Sequence, residues 1–218
     1  MHKKLNKKLA LKIYEKEKIK DIQRKKSVRR EIRLMKRISH PNIATLYEAI
    51  ETEDQVILVL EYVPGGSTHG FLKSKPHRRM QEDEARAIYV QLINALHYLH
   101  SRCIAHRDIK LENVMLDERR NVKLIDFGFS TCIPNDQRIK MFCGTPSYMA
   151  PEIVKKTEYC GPPTDIYASG VLLFAFFCGQ FPFRGQNDKD LYSKIQAGDL
   201  TIPDHVPAGP RRIISKCM

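Results

Sequence analysis

His106-Arg107-Asp108-Ile109-Lys110-Leu111-Glu112-Asn113 and Asp126-Phe127-Gly128 lie within the 23 residues from His106 to Gly128, and the reading of this chain turns on them. They gather two aspartates, one carboxamide and one lysine in a short length of chain. That inventory suits the movement of a phosphoryl group from a magnesium nucleotide to a hydroxyl. Taken alone, His-Arg-Asp recurs by chance and Asp-Phe-Gly is an ordinary turn. The specific signal is their order and separation, followed by Cys143-Gly144-Thr145-Pro146-Ser147-Tyr148-Met149-Ala150-Pro151-Glu152 and then by Asp165.

On these motifs the chain resembles the eukaryotic protein kinase family, over nearly all of its 218 residues. Lys110 and Gly144-Thr145-Pro146 are similar to the serine/threonine branch. The segments from Glu158 to Tyr167 and from Gly179 to Phe183 resemble the calcium/calmodulin-dependent group, near the AMP-activated and SNF1-related kinases. The resemblance implies an α+β, two-lobed fold. Residues 1–63 are expected to form a partial, β-rich small lobe and residues 64–218 a large helical lobe, truncated at its C-terminal end. It also implies ATP and Mg²⁺ as cofactors and a serine or threonine of a protein as acceptor.

Phosphoryl transfer asks a protein mostly for positioning and for positive charge on the phosphates. Under the resemblance, Asp108 accepts the proton of the substrate hydroxyl and orients it, and Lys110 neutralises the transferring group. Asn113 and Asp126 offer the oxygen ligands that hard Mg²⁺ prefers. Lys12, in Leu9-Ala10-Leu11-Lys12, matches the phosphate-binding lysine, and Glu31 matches the glutamate that pairs with it. Without the downstream motifs, the two would read as a surface strand lysine and a helix-surface ion pair. The resemblance also implies Leu60 as the residue before a hinge, with the Glu61 carbonyl and the Val63 backbone facing adenine and Ala10 and Met115 sandwiching it.

Apolar spacing gives the outline around these residues. Leu9 to Tyr14 alternates as a strand, and Ser27 to Ile38 has helical spacing, stopped at His40-Pro41. Ile43 to Ile50 and Gln55 to Tyr62 read as strands, the second apolar enough to be covered on both sides. Pro64-Gly65-Gly66-Ser67 is a break and the natural hinge. Glu82 to Ser101 is an amphipathic helix with acidic residues in its first turn, where the macrodipole favours them. Val114 to Leu116 and Val122 to Ile125 read as a hairpin, and Thr164 to Gly179 as the central helix of the large lobe.

The net charge of +12 is local: residues 1–40 hold 16 Lys and Arg against 4 Asp and Glu, and residues 41–218 hold 21 of each. The run from Lys16 to Arg37 has interleaved apolar residues, so it reads as a solvated basic helix face rather than a nucleic-acid arm. Six cysteines without CxxC pairing argue against zinc and a disulfide framework and fit a reducing cytoplasmic or nuclear compartment. The most apolar run, Val171 to Cys178, is far shorter than the roughly 20 residues of a membrane span. Neither a nucleic acid nor a membrane is therefore expected as partner, and no regulatory partner is legible.

Three departures from the family pattern stand out. None of the eleven residues before Lys12 is glycine, so the glycine-rich loop expected over the phosphates is absent from the sequence as written. Met141 stands two residues before Cys143, where the resemblance implies a phosphorylated threonine gripped by Arg107; Ser130 or Thr131 are the alternative sites. Ser67 stands where an acidic residue often meets ribose or a basic substrate residue, which puts a preference for arginine-rich substrates in doubt. The rival function is a non-catalytic scaffold that docks through the basic N-terminal helix.

Overall fold

The computed structural model describes residues 8–133 and 137–218. The segment before Lys12 in which a glycine-rich loop is missed falls largely on residues 1–7, outside the described residues.

The small lobe is a three-stranded antiparallel sheet with one long helix against it. Strands β1 (Leu9–Glu15), β2 (Leu46–Glu51) and β3 (Gln55–Glu61) run in the order β1-β3-β2. β3 is the central strand, which accounts for its unbroken apolar sequence: it buries Leu58 and Val59 and hydrogen-bonds along both edges. Helix α1 (Ile22–Met35) begins five residues before the apolar spacing predicts. Its true start is Asp21, whose side chain accepts from the Arg24 amide at 3.1 Å. The first turns face solvent, so their composition carries no apolar stripe, and only Val28, Glu31, Leu34 and Met35 are buried. The strand predicted from Ile43 also begins late. Ile43 bridges Leu124 of the other lobe instead, and the Ala44 amide donates to the Leu124 carbonyl at 3.0 Å.

The large lobe packs α3 (Glu82–His100) and α7 (Ala208–Cys217) against α5 (Gly161–Cys178), with α6 (Asp188–Ala197) and the short α2 (Thr68–Lys73) and α4 (Pro151–Val154) around them. α5 starts three residues before its predicted first residue, because Pro162 and Pro163 occupy the first turn, where no intrahelical N–H is needed. Nearly all of α5 is buried, which makes it the axis of this lobe. No described helix is long and apolar enough to cross a membrane. The short strands β4 (Ile104–Ala105) and β7 (Thr131–Cys132) pair, as do β5 (Val114–Leu116) and β6 (Val122–Leu124), so one sequence motif runs from β4 to β5 and the other from β6 to β7. At the hinge, a Cβ on Gly65 would lie 2.5 Å from the Leu116 carbonyl oxygen, so only glycine lets the chain cross there.

Candidate active site

Asp165, buried in α5, organises the loop that carries His106, Arg107 and Asp108. Its Oδ1 accepts from the Arg107 amide at 2.7 Å, and its Oδ2 accepts from the His106 amide and from His100 Nε2, each at 2.9 Å. The His106 ring then pins the next two segments: Nδ1 accepts from the Asp108 amide at 3.3 Å, and Nε2 donates to the Ile125 carbonyl at 3.0 Å. Its edge packs on the fully buried Phe127, with ring centroids 4.9 Å apart. One buried carboxylate and one imidazole thus set Asp108 and Asp126 relative to each other.

Asp108 is almost fully enclosed by partners. Oδ1 accepts from Thr145 Oγ1 at 2.9 Å, and Oδ2 faces Lys110 Nζ at 2.7 Å and Asn113 Nδ2 at 3.0 Å. Asn113 Nδ2 also donates to the Asp108 carbonyl at 2.8 Å. The carboxamide nitrogen is committed, and the Asn113 side-chain oxygen has no hydrogen-bond partner among the described residues. Lys110 Nζ donates to Thr145 Oγ1 at 3.1 Å, so the threonine closes a ring with Asp108 and Lys110. Thr145 is readable in the sequence as a branch marker. Its contact with Asp108 depends on the fold of the intervening loop.

Lys12 joins the two lobes: Nζ lies 2.7 Å from Glu31 Oε1 and 2.7 Å from Asp126 Oδ1. Burial alone would lower the Lys12 ammonium, but the two carboxylates outweigh it and hold the group above its ordinary range. Burial likewise works to raise Asp126. The Lys12 charge and hydrogen bond, with the Gly128 amide at 3.2 Å, overcome it and keep the carboxyl below its usual range. Asp126 has φ +62°, a left-handed conformation that aims the segment toward Lys12. A residue without a sequence signal completes the group: Tyr14, two positions after Lys12, donates its hydroxyl to Glu31 Oε2 at 2.6 Å. Burial and that bond push the Tyr14 phenol up to about 12.

Beside Lys12 lies a cavity of about 340 Å³ lined by Ala10, Leu60, Glu61, Val63, Met115 and Asp126, among others. All the residues expected around adenine therefore share one recess. The Glu61 side chain points elsewhere: Oε1 pairs with Lys123 Nζ at 2.8 Å and Oε2 accepts from the Thr45 amide at 3.1 Å. This leaves its backbone as the group available to the cavity. Arg107 has no acidic partner among the described residues. Its guanidinium donates to the Phe129 carbonyl and lies 3.6 Å from Met141 Sδ. Ser130 is buried and donates to the His106 carbonyl at 3.2 Å, so it is not the accessible alternative to Met141 that the sequence admits.

The chain is 41% identical over its whole length to the Probable serine/threonine-protein kinase MARK-A of Dictyostelium discoideum, covering 20% of that protein. It is 37% identical to the serine/threonine protein kinase OSK3 of Oryza sativa subsp. indica, again over the whole chain and 42% of the relative. Over 97% of the chain it is 38% identical to the SNF1-related protein kinase catalytic subunit alpha KIN12 of Arabidopsis thaliana, of which it covers 42%. The chain thus spans less than half the length of these curated relatives. The model of the protein kinase domain matches residues 1–215, and the chain belongs to that family.

Proposed function

We propose that the chain is a serine/threonine protein kinase domain, transferring the γ-phosphate of ATP to a hydroxyl of a protein. The observation that carries this reading is the double pairing of Lys12, which holds Glu31 of α1 and Asp126 at one point beside the 340 Å³ cavity.

The residues present fit a magnesium nucleotide. The cavity is apolar where Ala10, Leu60, Val63 and Met115 line it, which suits a purine, and it opens at Lys12 and Asp126. No cluster of three His, Cys, Asp or Glu side chains that could hold a metal exists among the described residues. Mg²⁺ needs no such cluster, since it is commonly held by one or two carboxylates together with substrate phosphates and water. Asp126 and the uncommitted Asn113 oxygen are the groups that would hold it. Bound there, Mg-ATP supplies the phosphoryl group and the charge neutralisation.

The chain's own residues do the rest. Asp108, anchored by Asn113, takes the proton as the serine or threonine oxygen attacks. Lys110, already 2.7 Å from that carboxylate, places positive charge where the phosphoryl group passes. Thr145 fixes both side chains. Lys12 holds phosphate oxygens, and Glu31 and Tyr14 hold Lys12.

The test is transfer of labelled γ-phosphate to a protein mixture, followed by phosphoamino-acid analysis. Phosphoserine and phosphothreonine are expected from the parent, with a loss of about 10²- to 10⁴-fold in Asp108→Asn. A folded parent that transfers nothing, or an equal rate in Asp108→Asn, would overturn the proposal.

A further inference from the structure

A second recess, of about 150 Å³, lies on the large lobe between α2, the catalytic loop and the segment after α5. Its apolar surface comes from Leu72, Leu111, Ala175 and Phe181. Its charged rim is entirely basic: Lys73 comes from α2, Arg78 from the turn Pro76–Arg78, and Arg184 from the segment after α5. All three are exposed, and none has an acidic partner among the described residues. This separates them from Lys75, Arg86 and Arg120 nearby, each of which is paired with a glutamate.

Two features show that this rim is built rather than incidental. Gly179 has φ +66°, and a Cβ there would lie 2.6 Å from the His77 carbonyl oxygen and 2.8 Å from that of Arg78. Only glycine lets the turn bearing Arg78 close against the segment that carries Phe181 and Arg184. An acid beside the recess is also engaged: Glu112 Oε1 lies 3.1 Å from His69 Nδ1, and His69 itself lines the recess. At the head of α2 the residue is Ser67, whose side chain caps the helix by accepting from the Gly70 amide at 3.2 Å.

Leu111 and Phe181 connect the recess to the candidate active site. Tyr148 stacks edge-on against Phe181, with centroids 5.2 Å apart, and its hydroxyl accepts from the Leu111 amide at 3.2 Å. Leu111 is three residues beyond Asp108, and Tyr148 is three beyond Thr145. A peptide whose hydroxyl reached Asp108 would therefore have neighbouring residues within range of the basic rim. Three unpaired cations around an apolar floor complement a segment carrying an apolar side chain flanked by carboxylates.

We propose that this recess selects protein substrates with an apolar residue and Asp or Glu close to the acceptor, and disfavours basic ones. The proposal rests on the kinase reading above and names the substrate class for the same site.

The experiment compares binding and transfer for two peptides with the same acceptor serine and the same leucine, flanked by either glutamates or lysines. Binding is read by fluorescence anisotropy, which needs no catalysis. The parent is expected to bind the glutamate peptide about tenfold more tightly than the lysine peptide, and Lys73→Glu/Arg184→Glu should reverse the order. Both positions are exposed, so the fold should tolerate the change. The control Lys25→Glu/Arg29→Glu, on the basic face of α1, should leave the preference intact. A parent preference for lysine would overturn the proposal, as would a glutamate preference that vanishes in the α1 variant and survives in the recess variant. The two readings fail separately. Selective binding without phosphate transfer would contradict the kinase reading alone, and transfer without acidic preference would contradict the recess alone.

Discussion

Glu31 has only 1% of its side chain exposed, and both of its oxygens are occupied, one by Lys12 and the other by Tyr14. A carboxylate so buried is costly unless each lone pair is satisfied, so the phenol is part of what keeps the ion pair in place. Tyr14→Phe is expected to destabilise the fold by about 1.5–3 kcal/mol, the usual range for a hydrogen bond to a charged group, and to weaken nucleotide binding as Lys12 loosens. Folding favours the neutral phenol. The bond's contribution is therefore complete below pH 10 and fades as pH rises toward about 12. Urea unfolding of parent and variant should show a gap that narrows over that interval; a constant gap would assign Tyr14 to packing alone. Arg107 presents the opposite situation, a buried cation with carbonyl, thioether and phenol neighbours but no carboxylate among the described residues. Met141→Glu would place a carboxylate beside it and should stabilise the fold by about 1 kcal/mol. A lower melting temperature for Met141→Glu would show that Arg107 is already satisfied by Phe129.

At the scale of elements, the loop that carries Asp108 depends on a helix that is remote in sequence. Asp165 satisfies two buried amides and one imidazole across 58 to 65 residues of chain. Asp165→Ala would strand both amides at roughly 1–3 kcal/mol each, so a loss above about 2 kcal/mol in urea unfolding is expected. A loss below about 1 kcal/mol would mean that the loop finds other partners. The motif residues were legible because their chemistry is carried by residue type and spacing. Element ends were legible where an apolar stripe reached them, as in α3, whose predicted and observed limits differ by one residue. They were not legible where the first turns face solvent, as in α1, whose start is marked by Asp21 alone. Tyr14 and Thr145 could not be found from spacing at all, because each acts through a partner that only tertiary packing supplies.

Across the whole molecule, the two lobes meet through a few charged links around the cavity. Lys12 of β1 reaches Asp126, and Glu61 at the end of β3 reaches Lys123 of β6. These pairs tie the sheet of the small lobe to the β5–β6 hairpin and the segment after it, with the glycine crossing at Gly65 as the covalent link. Within this frame Asp126 faces Lys12 and the cavity, whereas Asp108 faces Lys110, Asn113 and Thr145 on the large lobe alone. Under the proposed function the two carboxylates divide the work: Asp126 would hold the magnesium nucleotide and Asp108 would serve the acceptor hydroxyl. The most direct test is ATP binding by calorimetry, with and without Mg²⁺, for the parent, Asp126→Asn and Asp108→Asn. Magnesium-dependent affinity should be lost in Asp126→Asn and retained in Asp108→Asn. Equal loss in both variants, or ATP affinity in the parent that is indifferent to Mg²⁺, would contradict the division.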